Sequence, residues 1–161
     1  MALGELAGLK PAKRMREVFG DAILDLCRKN EKVVVLDGDL ASTTYTKGVR
    51  LEMPERFYNI GIAESNMISI AAGLASTGLI PFACTYAVFA SLRALDMVRN
   101  SIHYPKLNVK IAASHSGITP GPDGVTHQGQ EDLSILRSIA NATVIAPADP
   151  VSTTLAVRAA A

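Results

Sequence analysis

Glu64 is a carboxylate placed where it could exchange a proton with a bound ligand. It lies in the run Asn59-Ile-Gly-Ile-Ala-Glu64-Ser-Asn66, in which a predicted strand ends and a predicted helix begins. A carboxylate in the first turn of a helix is stabilised by the helix dipole, which would make Glu64 purely structural. Its neighbours are mostly apolar, and a partly desolvated carboxyl group could instead exchange a proton with a bound heterocycle. The residues alone leave both interpretations open.

A second group of candidate residues lies between Ser114 and Gln130. This segment places two histidines and an aspartate among several glycines and prolines: His115, Asp123 and His127. A loop of this length without regular structure is uncommon in a compact domain and is usually functional. Metal binding is disfavoured because no short ligand spacing such as His-x-x-x-His occurs. We therefore expect these side chains to hydrogen-bond a substrate, with a solvent-exposed loop as the alternative.

Two further groups allow a structural and a functional interpretation. An apolar stripe is spaced i, i+3 and i+6 on a predicted helix and consists of Tyr86, Phe89 and Leu92. Such a stripe is usually core, but aromatic rings at the start of a helix can also pack on a flat ligand. Four basic residues surround the first predicted helix start: Lys10, Lys13, Arg14 and Arg16. The helix dipole disfavours cations there, so they are either a solvated helix start or a functional group.

Composition and motif content exclude several classes of function. The 161 residues carry 16 Lys and Arg against 15 Asp and Glu, so the chain lacks the basic excess of a nucleic-acid-binding protein. No Gly-x-Gly-x-x-Gly follows a predicted strand, and Gly73-x-x-x-x-Gly78 is followed by Leu79 where a P-loop has lysine. Both common patterns for binding nucleotide phosphates are therefore absent.

The sequence predicts a cytoplasmic protein without a membrane span. Cys27 and Cys84 are too few and too far apart for a disulfide framework. The first residues lack the unbroken apolar stretch of a secretory signal. The stretch without charges between Glu64 and Arg93 is interrupted by glycine, serine, threonine and proline, which divide it into shorter elements.

Strands and helices alternate regularly along the chain. Predicted helices cover 13–29, 63–76, 86–102 and 131–139, with a last helix opening after Pro150, and predicted strands cover 33–36, 57–60, 79–83, 109–113 and 143–146. This alternation predicts a doubly wound, mostly parallel sheet with helices on both faces. Such sheets bind ligands at the carboxyl ends of their strands, which is where the candidate residues fall. We assign residues 1–12 to an N-terminal extension and 13–161 to one domain, whose last helix is still running at Ala161.

Four segments together resemble the pyrimidine-binding domain of transketolases. They occur in the order and spacing of that family and read Val-Leu-Asp37-Gly-Asp39-Leu, Arg56-Phe-Tyr-Asn-Ile-Gly-Ile-Ala-Glu64, Pro81-Phe through Phe89, and Asp123-Gly-Val-Thr-His127-Gln. The last segment is the most specific. It favours transketolase over the β subunits of 2-oxoacid dehydrogenases, which share the domain and a similar glutamate but not this loop. The resemblance implies the doubly wound fold predicted above.

The resemblance also implies a cofactor site for thiamine diphosphate. Glu64 would be the catalytic acid that hydrogen-bonds N1′ of the pyrimidine and so activates the cofactor. Tyr86 and Phe89 would pack around the pyrimidine ring. Leu92 stands where many members carry a further aromatic residue, and Asp39 corresponds to an acidic residue near the cofactor.

Substrate-binding residues are implied in the same way. His115, Asp123 and His127 match positions that contact the hydroxyl and carbonyl groups of the sugar, and His127 would also be catalytic. Arg14 and Thr43 match the region that holds the substrate phosphate. The implied activity is two-carbon ketol transfer between phosphosugars.

The resemblance further implies that this chain is half of an active site. In the family a separate domain binds the diphosphate and a divalent metal such as Mg²⁺ through a Gly-Asp-Gly and Asn motif, which this sequence lacks. The chain resembles the C-terminal subunit of split transketolases, so we expect a diphosphate-binding partner subunit, homo-oligomer formation through this domain and no activity alone. The alternatives are a component of a deoxyxylulose-phosphate synthase, a 2-oxoacid dehydrogenase β subunit, or an assembly domain without catalysis.

Overall fold

The first helix follows from the helical spacing of its apolar residues. The computed structural model describes residue 8 and residues 12–161, so Lys10 lies outside the described residues. Helix α1 spans Met15–Lys29 and buries the face that carries Ile23 against the sheet. This helix is where the sequence predicts it.

Four strands form one sheet. Strand β1 is Val33–Asp37, β2 is Phe57–Asn59, β3 is Ile80–Tyr86 and β4 is Lys110–Ser114. They pair in the order β2-β1-β3-β4, and every pairing is parallel. The chain leaves β1 toward one side to form β2 and returns to the other side to form β3. This reversal opens a crevice outside the carboxyl ends of β1 and β3, which is the usual ligand site of such sheets.

The remaining helices are short or irregular except for two. Helix α2 spans Lys47–Glu52, α3 Glu64–Ser76, α4 Leu95–Met97, α5 Asp132–Arg137 and α6 Pro150–Ala160. Two π-helical segments flank α4 and consist of Phe89–Arg93 and Val98–His103. Helix α6 begins with a capping box in which the N–H of Ser152 donates to Asp149 at 2.7 Å.

The core consists of two apolar layers, one on each face of the sheet. Alternate residues of β1 point to opposite faces because side chains alternate along a strand. Val33 and Val35 pack in the layer covered by α1 and α6, whereas Val34 and Leu36 pack in the layer covered by α3 and Val98–His103. The prediction of a doubly wound, mostly parallel sheet with helices on both faces is therefore confirmed.

Two local predictions were wrong. Residues 143–146 form no strand. Their side chains favour an extended backbone, but a strand also needs a hydrogen-bonded neighbouring strand, which these residues lack. Tyr86 is not the start of a helix but the end of β3, because the backbone stays paired with β4 as far as Ser114. Among the described residues, none of the helices combines the length and apolar character needed to cross a bilayer.

Candidate functional site

The loops that follow β1, β3 and β4 meet at the carboxyl edge of the sheet. The N–H of Gly38, just after β1, donates to the carbonyl of Cys84 in β3 at 3.2 Å. Beside it, Thr85 Oγ1 is fully buried and has no hydrogen-bond partner among the described residues. A buried hydroxyl without a partner is costly, so this crevice has capacity for one more polar group.

Asp37 holds the loop after β1 in place. Its buried carboxylate accepts hydrogen bonds from the hydroxyls of Thr44 and Thr46 at 2.8 and 2.9 Å and from the N–H of Leu40. Sequence reasoning singled out Asp39 and missed this role of Asp37, although a buried aspartate ending an apolar strand is a usable signal. Asp39 is exposed and accepts a hydrogen bond from Asn59 at 2.9 Å.

Glu64 is the first residue of α3 and is 1% exposed. Its Oε2 accepts a hydrogen bond from Arg93 Nη1 at 2.8 Å. The hydroxyl of Ser65 donates to the carbonyl of Arg93 at 3.1 Å, which ties the same two segments together. Thus a buried carboxylate stands at a helix N-terminus, where it is stabilised by the helix dipole and by one arginine.

Aromatic rings form a wall that Arg93 joins to this carboxylate. The rings of Tyr86 and Phe89 are nearly parallel, at an interplanar angle of 5° with centroids 5.9 Å apart. The ring of His115 stacks on Tyr86 at 4.0 Å, and His127 meets Phe89 edge-on at 5.3 Å. Arg93 lies over the Phe89 ring with its Cζ 4.3 Å from the centroid. The wall therefore connects the carboxylate to both predicted histidines.

His115 is held in a defined tautomer. Because an arginine can only donate, the 2.8 Å contact from Arg16 Nη1 makes Nε2 of His115 the acceptor. The ring proton of the neutral imidazole then lies on Nδ1 and is donated to Ser114 Oγ at 2.8 Å. Burial lowers the pKa of His115, the charge of Arg16 lowers it further, and Asp123 opposes both. The backbone of His115 has a φ of 58°, a conformation that non-glycine residues adopt mainly at constrained sites.

The segment Ser114–Gln130 is folded into two 3₁₀ turns, Gly121–Asp123 and Val125–His127. Its two ends are joined because the N–H of Gly117 donates to the carbonyl of Gly129 at 2.8 Å. The hydroxyl of Ser116 also donates to the buried carboxylate of Asp132 in α5. The segment is thus a closed loop that carries His127 to the aromatic wall.

Besides Asp39, four predicted site residues form no side-chain hydrogen bond, ion pair or ring stack with the described residues of this wall. Arg14 forms an ion pair with Glu17 at 3.9 Å, and Thr43 donates to the carbonyl of Leu40 at 2.9 Å. Leu92 is 46% exposed, and Asp123 is exposed at the first turn of the loop, although its charge reaches His115. Their functional roles stay predictions.

Arg16 is the basic residue that the structure brings to the wall. Besides its contact with His115, Arg16 lies over the ring of Tyr45, with its Cζ 5.6 Å from the ring centroid. Sequence reasoning placed Arg16 in the basic group but selected Arg14. The usable signal was helical spacing, since Arg16, Gly20 and Ile23 share the inward face of α1.

The site offers aromatic, carboxylate and imidazole groups but no cluster of metal ligands. Within the described part of the chain, no three His, Cys, Asp or Glu side chains lie close enough to hold a metal ion. The arrangement suits a flat heterocycle that stacks on aromatic rings and hydrogen-bonds a carboxyl group.

Comparison with known proteins gives the family context. The family model described as "transketolase, pyrimidine binding domain" matches residues 12–161. A putative transketolase C-terminal section from Methanocaldococcus jannaschii is 53% identical over 137 residues, which are 85% of this chain and 43% of that protein. A 1-deoxy-D-xylulose-5-phosphate synthase 1 from Geobacter sulfurreducens is 39% identical over 150 residues, 92% of this chain and 23% of that protein.

Among solved structures, a split-gene transketolase, described as an inactive β4 tetramer, is similar with a TM-score of 0.80 and 49% identity. The match covers 91% of this chain and 47% of that one. The chain therefore spans less than half the length of each of these relatives.

Proposed function

Because this chain belongs to the family of transketolase pyrimidine-binding domains, we propose that it is the pyrimidine-binding half of a thiamine-diphosphate-dependent transketolase. The observation that carries the proposal is the buried carboxylate of Glu64, which Arg93 joins to the parallel rings of Tyr86 and Phe89. A pyrimidine needs one flat apolar surface and a hydrogen-bonding group at its edge, and these residues supply both.

Glu64 would hydrogen-bond N1′ of the pyrimidine and hold a proton there. Since its side chain is 1% exposed, water does not compete for the carboxyl group, which makes this hydrogen bond directional and strong. Bound thiamine diphosphate supplies the nucleophilic carbon for ketol transfer. Tyr86 and Phe89 would fix the plane of the ring and keep it dry.

The histidines would bind the sugar at the far end of the wall. His115 has both ring nitrogens occupied by Arg16 and Ser114, so its orientation is fixed, whereas Nε2 of His127 has no hydrogen-bond partner among the described residues. His127 would therefore donate to or accept from the carbonyl or hydroxyl groups of the substrate. Arg16 is suited to anchor its phosphate through two or more N–H donors.

The roles of Asp39, Asp123, Arg14 and Thr43 stay part of the proposal on the strength of the sequence alone. Asp39 would lie near the cofactor, Asp123 would contact the sugar, and Arg14 with Thr43 would contact the phosphate. Leu92, on the exposed side of the wall, would cover the edge of the pyrimidine.

A partner subunit would hold the diphosphate and its divalent metal, such as Mg²⁺. The described residues offer a surface for the ring but no cluster of metal ligands. The relative described as an inactive β4 tetramer supports the idea that copies of this domain associate and need a second kind of subunit. The substrates would be phosphosugars, and the cytoplasmic location stays a prediction.

The proposal is tested by Glu64→Gln in the complex with the partner subunit, thiamine diphosphate and Mg²⁺. We expect turnover of ketol transfer to fall by about 10²–10⁴-fold with the fold retained, because glutamine cannot exchange the proton. The matched control is Glu31→Gln, an exposed glutamate before β1. Turnover within a few-fold of the parent would remove Glu64 from the reaction.

The same complex distinguishes a second candidate function, synthesis of deoxyxylulose phosphate. The identity to the Geobacter sulfurreducens enzyme keeps this candidate open. Product analysis with a ketose phosphate as donor, and separately with pyruvate, decides between them. We expect transfer from the ketose phosphate and none from pyruvate.

A further inference from the structure

The guanidinium group of Arg93 lies between Glu64 and Phe89. Its Nη1 is 2.8 Å from Glu64 Oε2, and its Cζ is 4.3 Å from the centroid of the Phe89 ring. A guanidinium is a flat group that both hydrogen-bonds and stacks. Arg93 thus makes the two contacts that a pyrimidine would need, one with a carboxyl group and one with an aromatic face.

Phe89 and Arg93 are the two ends of one π-helical turn. The N–H of Ala94 donates to the carbonyl of Phe89 at 3.1 Å, which is an i to i+5 bond. Arg93 lies over the ring of Phe89, four residues before it, and the hydroxyl of Ser65 donates to the carbonyl of Arg93 and so ties the turn to α3. Single π-helical turns are frequent at functional sites.

The two members of this ion pair differ in exposure. The side chain of Glu64 is 1% exposed, and that of Arg93 is 48% exposed. A buried carboxylate without a partner is strongly unfavourable, so Arg93 stabilises the chain while no ligand is bound. A half-exposed guanidinium, in contrast, can turn into water at little cost.

We propose that Arg93 is a latch on the cofactor site, which occupies the contacts of Glu64 and Phe89 until a pyrimidine ring displaces it. The proposal rests on the proposed function. Binding would exchange one partner of Glu64 for another: as Arg93 leaves, the carboxylate takes up one proton from solvent and, as a carboxyl group, donates it to N1′ of the pyrimidine. Only molecules in which Arg93 has left Glu64 can bind the cofactor, so the apparent affinity is the intrinsic affinity multiplied by the fraction of such open molecules.

The test compares Arg93→Gln with the parent in the complex with the partner subunit and Mg²⁺. We expect thiamine diphosphate to bind about threefold to tenfold more tightly to the variant in an equilibrium titration, because glutamine carries no charge and holds Glu64 less firmly. The matched control is Arg99→Gln. Arg99 is exposed, lies in the next π-helical segment and donates to Asn100 at 2.8 Å, so its loss should leave the affinity unchanged. Equal or weaker binding to Arg93→Gln would overturn the latch.

A second measurement keeps the proposal testable if Arg93→Gln does not fold. A crystal structure of the parent complex with thiamine diphosphate should show Arg93 beyond hydrogen-bond distance of Glu64. A retained pair would overturn the latch and make Arg93 a positioning residue for Glu64. If neither the parent nor Arg99→Gln binds thiamine diphosphate, the proposed function itself is wrong. If both bind it but Arg93→Gln binds no more tightly, only the latch is wrong.

Discussion

At the scale of single residues, the candidate site contains polar side chains whose orientation is held by hydrogen bonds to other side chains. Glu64 is paired with Arg93, and His115 is held between Arg16 and Ser114. Each pairing satisfies a group that would otherwise be costly to bury. The orientation of the Glu64 and His115 side chains is therefore fixed in the structure without a ligand.

His115 makes the stability of the chain depend on pH. Burial lowers its pKa, so the folded chain takes up the His115 proton at lower pH than the unfolded chain. The unfolded state binds more protons as pH falls below about 6.5, the ordinary pKa of histidine. The stabilisation is therefore present above that pH and is lost on acidification.

We predict that His115→Asn makes the free energy of unfolding less sensitive to pH between about 6.5 and 5. Asparagine tolerates the left-handed backbone, so the loop should keep its path. Urea unfolding at several pH values measures the slope, which should fall by a fraction of one proton. Part of the slope should remain, because burial also lowers the pKa of His103. A slope identical to that of the parent would contradict the assignment.

At the scale of elements, helix packing sets where small residues are required. A Cβ at Gly73, on the exposed side of α3, would meet nothing within 4 Å. A Cβ at Gly20 in α1 would lie 2.5 Å from the carbonyl oxygen of Tyr45. Gly20 is therefore required by close packing, whereas Gly73 is not, although both lie in helices.

We predict that Gly73→Ala raises the free energy of unfolding by about 0.5–1 kcal/mol, because alanine loses less backbone entropy in a helix. Gly20→Ala should lower it by about 1–3 kcal/mol, because α1 must move away from the loop that carries Tyr45. Thermal or urea unfolding of the two variants measures both effects. A stabilising Gly20→Ala would show that α1 does not pack on this loop.

The loop Ser114–Gln130 is anchored at its closed base and by the rings of His115 and His127, whereas its tip is exposed. Gly117, Gly121 and Gly124 have positive φ values, and most side chains near its tip are exposed. We predict fast amide exchange between Gly117 and Gly129 in the isolated chain, slowed when the partner subunit and thiamine diphosphate are added. Hydrogen-exchange mass spectrometry measures this. Equal protection in both states would mean that the loop is preformed.

The periodic elements could be predicted from the sequence, whereas contacts between distant segments could not. Apolar spacing located α1 and α3, and the continuous apolar run located β1, since each pattern reflects local burial. Helix α2 was missed because its six residues show no clear period. The ion pair of Arg93 with Glu64 joins a π-helical turn to α3, and no residue spacing in the sequence predicts either the turn or the pair. Helical spacing could have favoured Arg16 over Arg14, but the contact of Arg16 with His115, 99 residues away, could not be predicted from the sequence.

At the scale of the whole molecule, the carboxyl edge of the sheet would, on the proposed function, form one half of a cofactor site. Glu64, Tyr86 and Phe89 supply the surface for a ring, and the histidines continue it toward a substrate. Within the described residues, no three His, Cys, Asp or Glu side chains could hold a metal ion. The central claim of the proposal is that a second subunit binds the diphosphate and its metal.

Isothermal titration of thiamine diphosphate with Mg²⁺, into the chain alone and into the chain with its diphosphate-binding partner, tests this claim most directly. We predict no tight binding to the chain alone, because the ring surface cannot compensate for a diphosphate left without a metal site. With the partner present, we predict saturable binding at one cofactor per pair of unlike subunits. Micromolar binding to a monomer of this chain alone would contradict the claim.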